Sequence, residues 1–431
     1  MTTQTLPIAV LGAGPVGLAA AAHLLARGLE PIVLEAGERV GANALEWGHV
    51  RMFSPWKMNH DRASVALLEA EGWEAPPAEE FPTGRDLVER YLEPLAATQA
   101  IAPRVRLGAR VTAVSRLGFD RMKTSGREQA AFLVRLEGAT GEEELLASAV
   151  IDATGTWRSP NPLGASGLPA LGEKALAGQV FYGIPDVLER HRQRYAGRRV
   201  LVVGSGHSAF NAVLDLYDLA RQELGTELIW AVRRPSIERL FGGGERDQLA
   251  ARGRLGGKLG ELVRSGRIRV ETGFHLDRLS RGARGVVAWD GDRALPEVDE
   301  IVATTGLRPD RGLLAELRLD LDEATEAPRA LAPLIDPNDH SCGTVRPHGV
   351  DELSHPEPGL YVVGMKSYGR APTFLLATGY EQVRSVAAAL AGDWKAAREV
   401  QLVLPETGVC ATGFGRPSEL PAVESVGCGC G

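Results

Sequence analysis

Short, wholly apolar runs along this chain alternate with longer stretches whose apolar residues recur at helical spacing, and glycines mark the joins. Pro7-Ile-Ala-Val-Leu11 reads as a strand covered on both faces, since such strands are continuously apolar rather than alternating. Gly12-Ala-Gly14-Pro15-Val-Gly17 follows, and Leu18 to Arg27 predicts an alanine-rich helix closed by Gly28 at its C-cap. Pro31-Ile-Val-Leu34 predicts a second strand, ending in Glu35. The pattern recurs farther on. Arg199-Val-Leu-Val-Val203 predicts a strand, Gly204-Ser-Gly206-His207-Ser208-Ala209 a turn, Phe210 to Leu224 a helix, and Glu227 to Val232 the next strand. Three more apolar runs, Val150 to Gly155, Ile301 to Gly306 and Gly359 to Gly364, predict strands. Pro372-Thr373 opens a helix through Gln382 and beyond. The fold class expected is α/β, with two Rossmann-like units.

The glycine spacing carries chemistry. In a strand-turn-helix unit the first glycine makes a tight turn, the second lets a pyrophosphate approach the backbone, and the third lets helix and strand pack closely. The helix N-terminus then offers amide donors and a positive dipole to the phosphates. Glu35 suits a ribose-hydroxyl acceptor. In the second unit Ala209 stands at the third glycine position, a permitted variant. Its second strand ends in Arg233-Arg234 instead of an acid, and guanidinium groups there suit a 2′-phosphate through bidentate hydrogen bonds. NADPH is therefore expected rather than NADH.

Composition narrows the partners. The 431 residues predict two or three domains, and with 44% hydrophobic, 24% charged and 51 glycines they read as globular. A formal charge of −7, with no block of Lys or Arg, argues against nucleic acid as partner. No basic residue precedes the first apolar run, and no stretch is long enough to span a bilayer. Four cysteines, Cys342, Cys410, Cys428 and Cys430, do not make a disulfide framework. A reducing cytoplasm is the expected compartment.

Taken in order, Gly12-Gly14-Gly17 with Glu35, Ala153-Thr154-Gly155, Gly204-Gly206-Ala209, Thr304-Thr305-Gly306 and the Gly359 to Gly364 strand resemble the flavoproteins with two dinucleotide-binding domains. Within them the chain is similar to flavin-dependent monooxygenases with a thioredoxin-reductase-like layout. The resemblance implies FAD on the first motif and NADPH on the second. It implies an FAD domain split into residues 1–165 and 310–400, an NADPH domain with linker over 166–309, and a flexible tail over 401–431. The segment from His49 to Asn59, the stretch from Tyr368 to Phe374 and the cysteine tail look similar to flavin monooxygenases associated with arsenic-resistance operons. Departures are visible too. The family's third FAD segment ends Gly-Asp, whereas Gly364-Met365-Lys366 stands here. The linker FxGxxxHxxxY is present only in pieces, as Phe181-Tyr-Gly183 and then His191 to Tyr195.

The implied reaction passes hydride from NADPH to FAD and on to dioxygen, and a flavin hydroperoxide then oxygenates a small-molecule substrate through a soft nucleophile such as sulfur, trivalent arsenic or an amine. Arg51, Phe53, Trp56, Asn59, Lys366, Tyr368, Arg370 and Thr373 are candidates to line that site, and Thr154, Gly155, Thr305, Gly306, Gly364 and Phe374 to hold cofactor. The helix opening at Thr373 would present its amides to the flavin's pyrimidine edge. Two other readings stay open. A disulfide reductase of the thioredoxin-reductase type needs a Cys-x-x-Cys and none exists, although a mobile C-terminal pair could serve. A soft-metal or arsenite binder would use Cys410, Cys428 and Cys430, three thiolates on a glycine-rich tail. Cys342 is expected to be a plain thiol, and His340 and His348 to be surface residues.

Overall fold

The computed structural model describes residues 6–402 except 239, 242–249, 340–344 and 373. Cys342, Cys410, Cys428, Cys430, His340 and Thr373 therefore lie outside the described residues. The first sheet contains β1 (Ile8–Leu11), β2 (Pro31–Leu34), β3 (Val105–Arg106), β7 (Ala149–Asp152) and β16 (Leu360–Val362) in the order β16-β7-β1-β2-β3. Every neighbouring pair in it is parallel. The second contains β8 (Val180–Tyr182), β9 (Arg199–Val203), β10 (Glu227–Ala231), β11 (Arg269–Glu271) and β15 (Glu300–Ala303) in the order β11-β10-β9-β15-β8, again all parallel. Two small antiparallel sheets attach: β4 (Arg110–Arg116), β5 (Phe132–Gly138) and β6 (Gly141–Ala147), and β12 (Arg278–Arg281), β13 (Val286–Asp290) and β14 (Arg293–Ala294).

Register aligns the strand ends. Leu11 pairs with Leu34 and with Asp152, and Asp152 with Val362, so four chain crossings leave the first sheet in one row. Val203 pairs with Ala231 and Ala303, and Ala303 with Tyr182, which makes a matching row in the second. In parallel α/β sheets the crevice beyond such carboxyl ends is where ligands bind.

Four helices of eleven residues or more occur among the described residues: α1 (Pro15–Leu25), α2 (His207–Gln222), α3 (Ala250–Arg264) and α4 (Leu376–Leu390). α1 is buried nearly all round, from Val16 to Ala22 and at Leu24. Its run Ala19 to Ala22 keeps the cylinder thin enough to lie between the sheet and α4, whose Val383, Val386 and Ala387 share its core. Pro15 at the first helical position fits a site where no amide partner is needed, and the helix begins three residues before its predicted start. α4 begins at Leu376, after the expected opening at Pro372-Thr373; its first turn is closed by the Thr378 and Gly379 amides donating to the Leu375 carbonyl. No helix among the described residues is long and apolar enough to cross a membrane.

Candidate dinucleotide and redox site

The two glycine turns have the same anatomy. Gly12 has φ +95°, and a Cβ there would lie 3.0 Å from the Ala153 carbonyl oxygen. Gly204 has φ +136°, and a Cβ there would strike the Thr304 carbonyl oxygen at 2.3 Å. Each first glycine thus lets its turn press against the end of the neighbouring strand. Each second glycine is different: a Cβ on Gly14 or Gly206 meets nothing within 4 Å. Both cap a helix from an extended conformation, with ψ of −176° and −179°, which any residue adopts. Their glycines answer to the open space in front of the helix N-terminus, which a side chain would fill. The third position of the first turn is closed: a Cβ on Gly17 would sit 1.9 Å from the Gly12 carbonyl oxygen. Ala209 at the equivalent place in the second turn is fully buried, so that crossing is slightly wider.

Glu35 lies over the first turn. Its Oε2 accepts the Ala13 amide at 2.7 Å and its Oε1 the Gly37 amide at 2.8 Å. Each carboxylate oxygen keeps a lone pair beyond these bonds, which suits hydroxyl donors of a ribose. In the second turn Trp230 Nε1 donates to the Gly204 carbonyl at 2.7 Å and fixes the loop from below. Arg233 and Arg234 stand just past β10; Arg233 is exposed, and its Nη1 donates to the Ala165 carbonyl at 3.0 Å. The residues present fit two dinucleotides by the open cradles at Gly14 and Gly206 alone.

Several expected lining residues are placed elsewhere. Lys366 is 3% exposed; its Nζ lies 2.7 Å from Asp152 Oδ2 and 2.9 Å from Thr154 Oγ1, and the Thr154 hydroxyl donates to Asp152 Oδ1 at 2.7 Å. The three form a closed knot joining β7 to the segment after β16, so neither the Lys366 ammonium nor the Thr154 hydroxyl is offered outward. Asn59 is fully enclosed, its amide donating to the Ser54 and Pro55 carbonyls at 2.8 and 3.0 Å while its oxygen accepts from Ser54 Oγ. Trp56 stacks on His60, with Trp73 and Tyr91 completing an aromatic box, and Tyr368 packs between His348 and Phe374. Trp56, Asn59, Lys366 and Tyr368 are thus packing and knotting residues rather than a lining. Phe374 also meets the close approach at Gly379, where a Cβ would lie 2.9 Å from its ring. Thr305 Oγ1 donates to the Asn161 carbonyl, and Asn161 Nδ2 donates to the Thr305 carbonyl at 3.1 Å, so this threonine stitches two chain crossings together. Gly155 and Gly306 have φ of +68° and +91° at those crossings.

His348 is buried, not superficial. Its Nε2 lies 2.8 Å from Gln382 Nε2, and the other end of that amide, Oε1, accepts the Gly364 amide at 2.7 Å. Burial lowers the His348 pKa, which keeps the imidazole neutral and able to accept from Gln382. Asp152 and Gln382 were not singled out from the sequence; an acid inside the otherwise apolar run before Thr154-Gly155 was the available signal for the first.

The segment after β2 reaches the second turn. The ring of Phe53 lies 5.4 Å from that of His207, the first residue of α2. The segment bearing Phe53 is braced from behind by hydrogen bonds from the Met52, Trp56 and Lys57 amides to the Pro82, Glu80 and Ala78 carbonyls. Arg51 belongs to the same brace, donating to the Phe81 carbonyl at 2.7 Å, and Arg370 pairs with Glu326. The pieces of the linker motif also meet despite their spacing, with Phe181 edge-on to His191 at 5.1 Å.

A fold of two parallel sheets, each with a glycine turn whose helix N-terminus faces open space, is the architecture of dinucleotide-binding proteins. The pyridine nucleotide-disulphide oxidoreductase family matches residues 9–342, and the chain belongs to it. It is an enzyme of the FAD- and NADP-binding oxidoreductases. The indole-3-pyruvate monooxygenase YUCCA1 of Oryza sativa subsp. japonica is 33% identical over 213 residues, 48% of this chain and 44% of that protein, so the match spans less than half of the relative. A ferredoxin–NADP reductase of Salinispora tropica is 28% identical over 339 residues, 75% of this chain and 84% of that protein. Among solved structures, the bacillithiol disulfide reductase Bdr from Bacillus cereus superposes with a TM-score of 0.65 at 20% identity, over 90% of this chain and 99% of that one.

Proposed function

We propose that this chain is an NADPH-driven, FAD-dependent monooxygenase, which consumes one NADPH, one proton and one dioxygen and releases NADP+, water and a substrate that has gained one oxygen atom. FAD supplies the hydride acceptance and the reaction with dioxygen. The chain's own residues bind and orient. Gly12, Gly14, Gly17 and Glu35 hold FAD across the first turn, with Gly155 and Gly364 at the neighbouring strand ends. Gly204, Gly206, His207, Ser208 and Ala209 hold NADPH, and Arg233 and Arg234 receive its 2′-phosphate. Phe53 shields the junction between the two.

The observation that carries this reading is the contact of Phe53 with His207 at 5.4 Å. It puts a braced aromatic segment, free of cysteine, at the first residue of the second glycine-turn helix, which supports a shielded junction between the two turns, and no Cys-x-x-Cys occurs in the chain. Its substrate class is a soft nucleophile, meaning sulfur, trivalent arsenic or an amine. For arsenic the support is the sequence alone: Cys410, Cys428 and Cys430 could present three thiolates. A second reading, electron delivery to a small iron-sulfur protein, is favoured by the broad match to the Salinispora tropica reductase.

The experiment that tests it is anaerobic reduction by NADPH followed by mixing with 18O-labelled dioxygen in the presence of a thioether, an alkylamine or arsenite. Label in any of the three products supports oxygen transfer. Hydrogen peroxide as the sole oxygen product, together with rapid reduction of added ferredoxin, refutes it. Calorimetric titration of arsenite into the whole chain and into one ending at Pro421 tests the tail: equal affinity, or none in either, removes the arsenic reading.

A further inference from the structure

We propose that the second sheet carries an additional binding site for a polyanionic small molecule of nucleotide size, at the end of the strands opposite the Gly204 turn. A cavity of about 840 Å3 opens there. Arg199, Glu227 and Arg269, which line it, are the first residues of β9, β10 and β11. Gly204 and Arg233 follow the other ends of β9 and β10, and a five-residue strand separates the two ends by roughly 16 Å. The cavity is therefore distinct from the dinucleotide turn.

Its walls come from several segments. α2 contributes Tyr217, Ala220 and Arg221, spaced three and four apart and so on one helical face. The turn after α3 contributes Arg267, set by Gly266 at φ +69°. The turn between β12 and β13 contributes Arg284, and the segment after β14 contributes Glu297. Leu228 and Ile229 at the start of β10 give an apolar floor.

The charges sort into engaged and free. Arg199 is held by Asp299 at 2.6 Å and Arg269 by Glu271 at 2.8 Å. Arg221, Arg267 and Arg284 are exposed and carry no ion pair among the described residues. Against them stand few negative groups. Glu297 accepts the Arg284 and Gly285 amides at 2.5 and 2.7 Å, Glu227 is the other carboxylate, and α2 ends nearby with its carbonyls. Arg221, Arg267 and Arg284 repel one another around one concavity and outnumber the two lining carboxylates, Glu227 and Glu297, in a chain whose net charge is −7. A bound polyanion relieves that repulsion, and guanidinium forks bind phosphate or carboxylate groups bidentately. The volume falls in the range of small-molecule sites, about 300–1,000 Å3. The partly buried Tyr217 ring beside the apolar floor offers a surface for a flat ring. Clustered phosphates or carboxylates joined to a ring satisfy all of these features.

The test uses the full chain carrying Gly206→Val, which blocks the dinucleotide cradle, and titrates ADP and inorganic pyrophosphate by calorimetry at physiological salt. ADP is expected to bind this protein, more tightly than pyrophosphate does. Adding Arg267→Ser and Arg284→Ser is expected to weaken ADP at least tenfold. These side chains are exposed and without ion pairs, and circular dichroism checks that the fold persists. Two results overturn the site: no ADP binding to the Gly206→Val protein, or equal ADP affinity after the arginines are removed. Pyrophosphate as tight as ADP overturns the role of Tyr217.

Discussion

The contrast between Gly14 and Gly17 yields a prediction that separates fold from cofactor. Gly14 caps α1 at φ −79° and ψ −176°, a conformation open to valine, and a Cβ there meets nothing within 4 Å. Gly14→Val should therefore cost less than about 1 kcal/mol of apoprotein stability, the size of an N-cap exchange. Its branched side chain occupies the cradle, and two charge-assisted hydrogen bonds from the helix amides to a pyrophosphate, at about 1.5–3 kcal/mol each, are lost. That is a weakening of FAD by a hundredfold or more. Gly17→Ala reverses the pattern. Its Cβ would sit 1.9 Å from the Gly12 carbonyl oxygen, so helix and turn must separate. Overpacking of that kind costs about 1–3 kcal/mol or more, and stability falls together with flavin. Gel filtration followed by the flavin-to-protein absorbance ratio, with thermal unfolding of flavin-stripped samples, reads both quantities. Full flavin retention in a folded Gly14→Val protein refutes the assignment of FAD to this turn.

Replacing Arg233 and Arg234 by alanine should weaken NADPH by about 1.5–3 kcal/mol per lost charged hydrogen bond and leave NADH nearly unaffected; equal use of both nucleotides by the wild type, followed as flavin bleaching, contradicts it. Lys366→Met leaves Asp152 buried and unpaired and should cost about 3–5 kcal/mol in denaturant unfolding, whereas adding Asp152→Asn should recover much of it; no recovery counts against the knot. Burial lowers the His60 pKa from 6.5 to about 4. Between those values the unfolded chain binds a proton that the folded chain does not, so this residue's contribution is complete above pH 6.5 and is lost as pH falls toward 4. His60→Phe should reduce the slope of stability against pH in that window by up to one proton, measured by urea unfolding at several pH values; an unchanged slope excludes the role.

Both glycine turns were legible because a strand, a glycine spacing and a helix must coincide to make them, and local sequence encodes all three. The pairing of β16 with β7 was legible only as an expectation from family likeness, since no local rule brings Leu360 beside Val150. The lining residues were poorly legible for a physical reason. Trp56, Lys366 and Tyr368 are residue types that serve equally as packing or as chemistry, and what decides is the partner contributed from far away: Tyr91 for the box around Trp56, Asp152 for Lys366 and His348 for Tyr368. The start of α4 was misjudged because proline marks where a helix is permitted to begin, not where its first hydrogen bond closes.

The interrupted first sheet also orders events during synthesis. Among the described residues the second sheet is made of strands lying between Val180 and Ala303, so its pairing can be complete as soon as that stretch has left the ribosome. The first sheet holds β1, β2, β3 and β7 but lacks its outer strand until Leu360 to Val362 appears, and α1 lacks its cover until α4 follows. The glycine turn at Gly204 therefore matures on a growing chain while the turn at Gly12 is still bare on one side. A polypeptide halted between these points would carry a finished second sheet and an unfinished first one. A covered α1 then marks chains that have been synthesised past α4.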